Sequence, residues 1–346
     1  MYDEIVNKIL EFIDEKLIST EIYPKFSGED YKSIKIDLKN FHEIKKSNSA
    51  KKIAFIDGGN AEIIGSANFL LNFVRIGYVV YENNKKVAFY KCDFFAFVNT
   101  INKNGEINYK ASFFGLKNPN FLEELSFSSL DHTLMHGVNR AEISSIANAI
   151  RRFAELRIAK NISERDNFCD IIVLDGNLQS TLTSENKYLN ELYESCSKNN
   201  VILSALSKKT SLFTENGNLL SVVLDNLSTF KSWFYHPIVE INNTNHKAEM
   251  FFVKLHYDSK HIFRFEIFNE QRAKAEETIN ALVSNCVDPI FIGYPYGLID
   301  ADKIARVTNY EKESLKIMFL MKLKNKNIEK YLSSLNAHEI LDKISF

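Results

Sequence analysis

The amino-acid sequence predicts an α/β fold in which a mixed β-sheet is flanked by helices. Two apolar runs, KIAFID at 52–57 and CDIIVLDG at 169–176, have the length and composition of buried strands. Between them, residues 140–160 repeat apolar side chains at helical spacing. Strands that alternate with helices are typical of α/β proteins, so these three segments set the predicted fold class.

The chain begins with an amphipathic helix, predicted over residues 3–18 because isoleucine and leucine recur there at helical spacing. A polar stretch rich in Lys, Ser and Asp follows to about residue 50. We therefore assign residues 1–50 to an N-terminal helical extension. Acidic side chains are spread through its first residues, so we expect no signal peptide there.

Further strands follow the first apolar run. Residues 62–82 and 85–98 have strand composition, and NNKK at 83–86 is a hairpin turn signal. We therefore expect an antiparallel meander. Residues 101–140 are irregular and polar, and we predict an insertion or a mobile loop there.

The second apolar run leads into the rest of the core. Five predicted elements follow it: a helix at 185–198, a strand at 201–206, a hairpin at 249–268, a helix at 270–285 and a strand at 289–293. Helices are predicted from about residue 301 onward. This order is that of an RNase H-like core, which we place in residues 51–310, with a C-terminal helical segment over 311–346.

Composition narrows the function classes. Charged residues make up 25% of the chain and apolar residues 45%, which is ordinary for a globular protein. The net charge of −1 excludes a strongly basic chain, although a local basic cleft is enough to hold DNA. The four cysteines lie far apart without zinc-binding spacing. No apolar run reaches the length of about 18 residues that a membrane span needs, so we expect a cytoplasmic protein without a membrane segment.

Two aspartates follow the apolar runs in matching contexts, Asp57 in FIDGGN and Asp175 in VLDGNL. Ligands of α/β proteins collect outside the carboxyl ends of the strands, so adjacent strands would place both carboxylates at one edge. Carboxylates that lie together repel each other unless a proton or a cation separates them, and Mg²⁺ or Mn²⁺ prefers such oxygen ligands. The alternative is that each Asp-Gly pair forms an ordinary turn.

A site for two cations needs a third acid, and the predicted helix at 140–160 offers Glu142 and Glu155. Glu155 lies on the same turn as apolar residues, so we favour it, while the choice between the two stays open. The alternative for Glu155 is a solvated side chain paired with a neighbouring arginine.

Two later motifs carry further polar groups. SALSKKTS at 204–211 places a lysine pair directly after a strand, where a lysine can contact a phosphate. GYPYGLIDADKIARV at 293–307 runs from a Tyr-Pro-Tyr turn into a helix with Asp300 and Asp302 near its start. Apolar residues surround this acid pair, so we expect one of the two to face inward rather than to serve only the helix dipole.

Taken in order, these motifs resemble those of the NurA nucleases. The matching segments are IAFIDGGN, FAELRIA, DIIVLDGNL, LSKKTS, FFVKLHYDSKHIFRFEIF and GYPYGLIDADKIARV, which together span about residues 50–310. The resemblance implies an RNase H-like core, a homodimer, and cleavage of DNA that depends on Mn²⁺ or Mg²⁺. It also implies a partnership with a HerA-like hexameric ATPase in DNA end processing, for repair or phage defence.

The resemblance also implies roles for individual residues. It makes Asp57, Glu155 and Asp175 metal-binding acids and places Tyr294 and Asp302 in the C-terminal motif. Our own hypothesis is two-metal hydrolysis, in which Asp57 would bridge both ions, Asp175 and Glu155 would complete the site of one ion, and Asp302 would complete that of the other. Lys209 and Tyr294 complete the catalytic set, and Lys208 is the neighbour that could take the place of Lys209. On the predicted hairpin, the candidates to follow the DNA backbone are Lys254, Tyr257 and Arg264.

Three other functions fit parts of the pattern. A catalytically inactive RNase H-fold subunit could scaffold a HerA-type complex and would not cleave DNA. A sugar-kinase-like phosphotransferase would use the DGG segment for ATP phosphates, but such enzymes carry more glycine than the 12 residues here. A guide-using nuclease of the Piwi type would need a pocket for the guide end, and nothing in the sequence resembles one.

Overall fold

A computed structural model describes residues 2–14, 22–45, 50–118 and 121–323 of the chain. Its described helices are α1 (Tyr2–Asp14), α2 (Ile143–Ser163), α3 (Glu185–Lys198), α4 (Leu220–Leu227), α5 (Ala275–Val283), α6 (Tyr296–Ala305) and α7 (Asn309–Leu323). Within these ranges, no helix is long and apolar enough to cross a membrane.

Most strands of the described residues belong to one sheet of eleven strands. The strands are β1 (Pro24–Lys25), β2 (Tyr31–Ser33), β3 (Phe41–Glu43), β4 (Ile53–Ser66), β5 (Phe69–Glu82), β6 (Lys85–Lys103), β7 (Glu106–Phe114), β8 (Leu125–Ser128), β9 (Ile171–Asp175), β10 (Ile202–Ser207), β11 (Phe213–Thr214), β12 (Trp233–Tyr235), β13 (Val239–Ile241), β14 (Ala248–Lys254) and β15 (Phe263–Phe268). The order in the large sheet is β3-β12-β14-β15-β10-β9-β4-β5-β6-β7-β8.

Five neighbouring strands, β10-β9-β4-β5-β6, form an RNase H-like core. β4, β5 and β6 are an antiparallel meander, whereas β9 and β10 run parallel to β4. The Asn83–Asn84 turn between β5 and β6 has both residues at positive φ, as a tight hairpin turn requires. The predicted fold class and meander are therefore confirmed.

The sheet continues through the segment that we predicted to be an insertion or a mobile loop. Residues 101–140 hold the end of β6, all of β7 and β8, and a turn at Asn104–Gly105 with positive φ. On β7 only Tyr109 and Ala111 are buried, because one face of this part of the sheet is exposed. Polar residues on that outer face concealed the strand in the sequence.

The opposite edge of the sheet is formed by part of the predicted helical extension. Residues 24–43 carry β1, β2, β3 and a short 3-10 helix at Leu38–Asn40 rather than an α-helix, and β3 pairs with β12. Strands of two or three residues are too short to show periodicity. Of the helix predicted at 3–18, α1 covers Tyr2–Asp14, and its remaining residues lie outside the described part of the chain. The domain boundaries at 50 and 310 stay predictions.

The strand predicted at 289–293 is a turn. Gly293 has a φ of 87°, and its N–H donates to the carbonyl oxygen of Cys286 at 2.8 Å. This turn leads the chain into α6 and buries the side chain of Tyr294.

Alternate residues of β4 and β9 face two different apolar cores. Ile56 and Leu174 pack with α2 and α3 on one face of the sheet, and Phe55 and Val173 pack with α5 and α6 on the other. This alternation determines which face of the sheet Asp57 and Asp175, the next residues of β4 and β9, point to.

Helix α6 lies close to β4 and β5 because glycines stand at the contacts. A Cβ atom on Gly77 would lie 2.6 Å from Cγ2 of Ile304, and one on Gly297 would overlap the ring of Phe55. Side chains at these positions would push the helix away from the sheet.

Candidate active site

Asp57 and Asp175 lie side by side on neighbouring parallel strands. The register pairs Ile53 with Ile171 and continues in step to Ile56 with Leu174, so each strand next carries its aspartate. Neighbouring strands are about 4.8 Å apart. Both aspartates continue the row of side chains that faces α6.

Strand β4 does not end at Asp57, although the Asp-Gly pair suggested a turn. It runs on through Gly58 and Gly59 to Ser66. A Cβ atom on Gly58 would lie 2.5 Å from Oε1 of Glu155, and one on Gly59 would overlap the backbone oxygen of Ala305. The glycines therefore allow α2 and α6 to approach the strand. After Asp175, by contrast, Gly176 has a φ of 110° and begins a turn.

Glu155 reaches the site from the opposite face of the sheet, through the space at Gly58. It is 4% exposed, Nη1 of Arg151 donates to its carboxylate, and Arg152 lies 3.7 Å away. Arg151 also donates to the carbonyl oxygen of Gly58 at 3.2 Å. Burial raises the pKa of Glu155, while the two arginines oppose this shift. Glu155 is thus paired with neighbouring arginines, as the alternative interpretation held, but it is buried and not solvated.

Glu142 does not reach this place. It is the exposed residue before the first turn of α2, where Ser144 donates to it at 3.3 Å. Glu155 lies thirteen positions further along the chain, which is about 20 Å along the helix axis.

Three carboxylates close together perturb one another. Burial, Asp175 and Glu155 raise the pKa of Asp57 from 3.8 to about 7, against the opposing effects of the Gly58 N–H and Lys208. The Gly58 N–H donates to Oδ1 of Asp57 at 2.7 Å. The site therefore disfavours a third negative charge, and a cation would relieve this strain on the folded state.

The lysine that contacts the acids is Lys208. Its Nζ lies 2.6 Å from Oδ2 of Asp175 and 5.8 Å from the ring centre of Tyr294. Burial lowers the pKa of Lys208, but the bond to Asp175 and the nearby Asp57 and Asp302 give a net upward shift. Lys209 is exposed and forms no ion pair with the described acids.

Tyr294 lies under the aspartates with its hydroxyl group unused. Its side chain is fully buried, and the hydroxyl oxygen has no hydrogen-bond partner among the described residues. Burial raises its pKa, and Asp175, Asp57 and Asp302 add to the shift. A buried, unpartnered hydroxyl beside carboxylates indicates a place for a ligand or water.

The two acids of α6 have different surroundings. Asp302 is half-buried near Tyr294 and Lys208, and Arg306 donates to it at 2.6 Å. Asp300 is buried elsewhere, bonded to the hydroxyl of Tyr81 at 3.1 Å and to Lys86 at 2.7 Å. One acid faces inward, as we expected, but it is Asp300 and it lies in a structural ion pair.

Two of the hairpin residues expected to follow DNA are engaged within the protein. Lys254 donates to Asp225 at 2.8 Å, and Arg264 lies 3.1 Å from the fully buried Glu266. These two side chains stabilise the hairpin region rather than extend toward a ligand.

The described residues contain no group of three His, Cys, Asp or Glu side chains arranged to hold a metal ion. The donor types nevertheless suit a hard cation, since Asp57, Asp175 and Glu155 all supply carboxylate oxygens. Lys208 and Arg151 presently bond two of these acids. The unused hydroxyl of Tyr294 and the raised pKa of Asp57 indicate that a cation would fit here once those bonds loosen.

The chain matches a protein-family model and is similar to solved structures. The family model of the NurA domain matches residues 51–307. The crystal structure of the NurA nuclease from Sulfolobus solfataricus superposes with a TM-score of 0.53 at 15% identity, covering 94% of this chain and 98% of that one. No curated protein matches.

Two endonuclease structures are more distant. The human ENDOV structure has a TM-score of 0.40 at 13% identity, covering 77% of this chain and 86% of its own. Endonuclease V of Ciona intestinalis, solved with a DNA that contains inosine, has a TM-score of 0.39 at 12% identity, with coverages of 80% and 92%.

Proposed function

Because the chain belongs to the NurA domain family, we propose that it is a deoxyribonuclease that hydrolyses phosphodiester bonds with Mn²⁺ or Mg²⁺. One observation carries the proposal: Asp57, Asp175 and Glu155 meet at one edge of an RNase H-like sheet. Lys208 and the unpartnered hydroxyl of Tyr294 lie beside them. Phosphoryl transfer needs this combination of carboxylates for a cation and donors for phosphate oxygens.

In this proposal the acids hold the cation. Asp57, Asp175 and Glu155 would be its ligands, and Asp302 would serve a second ion at the rim. When bound, such ions lower the pKa of the attacking water and stabilise the leaving oxygen.

The neighbouring residues then act on the DNA. Lys208, once its bond to Asp175 loosens, would donate to a phosphate oxygen and neutralise developing negative charge. The hydroxyl of Tyr294 would donate to the same phosphate. Arg151 keeps the Glu155 carboxylate in place beside Gly58. Lys209, exposed next to Lys208, would contact the DNA backbone.

Assembly with a HerA-like translocase and as a homodimer belongs to the same proposal. The net charge of −1 gives the chain little electrostatic attraction for DNA, so a partner that delivers DNA would be useful. Helix α1 exposes an apolar face, in which Ile5, Val6, Ile9 and Leu10 are each between 48% and 52% exposed. Such a face on a helix is suited to bind another chain.

A second candidate function is an inactive scaffold subunit. It is favoured by the lack of a ready-made metal-binding group among the described residues and by the bonds of Lys208 and Arg151 to the acids.

One assay separates the two candidates. The protein, with and without its ATPase, is incubated with end-labelled linear DNA in Mn²⁺, Mg²⁺ or EDTA. A nuclease cleaves with at least one metal and stops in EDTA. A scaffold leaves the DNA intact in every condition, while light scattering still detects a complex with the ATPase.

A further inference from the structure

A cavity of about 350 Å³, lined by both polar and apolar groups, opens near Arg151, which bonds Glu155, and near Gly176, which follows Asp175. One wall is a face of α2 that carries Ser145, Asn148 and Arg151, and the other is the loop that follows Asp175, from Gly176 to Leu182. The site residues described above do not fill it, and none of the roles proposed so far uses it.

The cavity borders residues that adjoin the candidate active site. Ser145, Asn148 and Arg151 are spaced three residues apart, so they lie in a row on one helix face that leads toward Glu155. Asn148 is about 10 Å from Glu155 along the axis. On the other wall, Gly176 directly follows Asp175. A strand bound across the acids would therefore continue into the cavity.

The wall of the cavity is rigidly built. Arg152 donates to Glu185 at 2.8 Å and to the carbonyl oxygen of Asn177 at 2.8 Å. Glu185, which is buried, accepts the backbone N–H groups of Thr181 and Leu182 at 2.9 and 3.1 Å. These bonds tie the loop to α2 and α3.

Arg151 differs from Arg152 in its exposure and in its unused N–H donors. Its side chain is 30% exposed, against 13% for Arg152. Among the described residues, its bonds all come from the Nη1 atom, to Gly58 and Glu155. A guanidinium group has five N–H donors, so Arg151 retains donors for a phosphate at the mouth of the cavity.

A buried chain of hydrogen bonds fixes Gln179 on the loop wall. Its Nε2 donates to the hydroxyl of Tyr31 at 3.0 Å, and that hydroxyl lies 3.0 Å from Nδ1 of His246. Nε2 of His246 lies 3.1 Å from Oε2 of Glu266, which also accepts the N–H of Leu178 at 2.8 Å. Since His246 and Glu266 are buried, the amide of Gln179 is held in one orientation.

We propose that this cavity is a subsite for one unstacked nucleotide of the strand that is cleaved. The inference rests on the proposed nuclease function and adds that the substrate nucleotide is unstacked. The volume of the cavity lies in the range of small-ligand pockets, and its walls offer an arginine, amides and hydroxyls for phosphate and base edges. A base inside a duplex cannot enter a concave pocket, so the nucleotide must be single-stranded or displaced from its pair.

The test fills the cavity and measures binding without cleavage. Asn148 is exposed and lines the cavity, whereas Ser144, also exposed and four residues earlier on α2, does not. We measure binding of a fluorescent single-stranded thymidine 12-mer in EDTA to the wild type, Asn148→Trp and Ser144→Trp. We expect Asn148→Trp to weaken binding about tenfold or more and Ser144→Trp to change it less than about twofold. Equal binding by the wild type and Asn148→Trp would overturn the proposal.

A second pair of variants tests the subsite independently, in case Asn148→Trp fails to fold. His136 lines the cavity and His132 does not, and both are exposed. His136→Ala should weaken binding of the 12-mer, and His132→Ala should not. If instead both or neither weaken it, the subsite is not where we place it. An identical loss for a blunt duplex would contradict the requirement for an unstacked base.

The same variants separate this proposal from the proposed function. If the wild type cleaves DNA, Asn148→Trp should raise KM while kcat stays within about twofold of wild type. Cleavage by the wild type with an unchanged KM in Asn148→Trp would reject the subsite and keep the nuclease. A different result would reject the nuclease function and keep the subsite: Asn148→Trp abolishes binding of the 12-mer, and no variant cleaves DNA in any metal.

Discussion

Replacing Asp57 by asparagine should stabilise the metal-free protein, and the gain should grow with pH. The pKa of Asp57 is raised from 3.8 to about 7 because its carboxylate is buried beside Asp175 and Glu155. A folded-state pKa above the unfolded value means that ionisation of this group destabilises the fold as pH rises from about 4 to about 7. Asparagine has the same shape, can still accept the Gly58 N–H, and cannot ionise.

The size of the effect follows from the shift. About three pKa units correspond to about 4 kcal/mol at pH 8, where the full difference is expressed. At pH 5 only about 2 kcal/mol is expected, because this pH lies little more than one unit above the pKa of 3.8 in the unfolded state and still below the folded-state pKa. The free energy of unfolding of Asp57→Asn should thus exceed that of the wild type by these amounts.

Urea unfolding of both proteins in EDTA at pH 5 and pH 8 measures these differences. The reasoning is refuted if the variant is less stable than the wild type, or if its gain is the same at both pH values. As a further check, added Mn²⁺ should stabilise the wild type more than the variant, because it binds the folded site.

Three further predictions concern neighbouring residues. Gly58→Ala places a Cβ 2.5 Å from Glu155, so it should abolish cleavage and lower the free energy of unfolding by about 1–3 kcal/mol; wild-type cleavage and melting would contradict this. Lys208→Ala should lower kcat about tenfold or more, and its control Lys209→Ala less than about threefold; the reverse order would move the role to Lys209. The pKa of Glu311 is lowered by the N–H and hydroxyl of Thr308 and by Arg75. Glu311→Gln should therefore lower the free energy of unfolding by up to about 1 kcal/mol at pH 7, and this loss should fade as the pH falls through the lowered pKa. Urea unfolding measures it, and a loss that does not change with pH would refute the prediction.

The sequence predicted the parts of the site that depend on strand order. Asp57 and Asp175 follow apolar runs that could be identified as parallel neighbours, and the structure brings them together. Their roles as metal ligands stay predictions, as do those of Glu155, Asp302, Lys209 and Tyr294.

What the sequence could not give depends on contacts between distant segments. The glycines after Asp57 have the composition of a turn, but they make room for α2 and α6 and leave the strand unbroken. The polar outer face of β7 hid a strand, and β1 to β3 were too short to show a period. The choice between Lys208 and Lys209 depends on which way each side chain points after β10, and the spacing of residues in the sequence does not determine that direction.

Cleavage of end-labelled linear DNA by the wild type and by Asp57→Asn tests whether the Asp57 carboxylate is needed for hydrolysis. The control is Asp300→Asn, an acid equally buried at 8% exposure but bonded to Tyr81 and Lys86 away from the site. We expect cleavage in Mn²⁺ by the wild type and Asp300→Asn, and none by Asp57→Asn or by any protein in EDTA. Mn²⁺-dependent cleavage by Asp57→Asn at the wild-type rate would contradict this expectation.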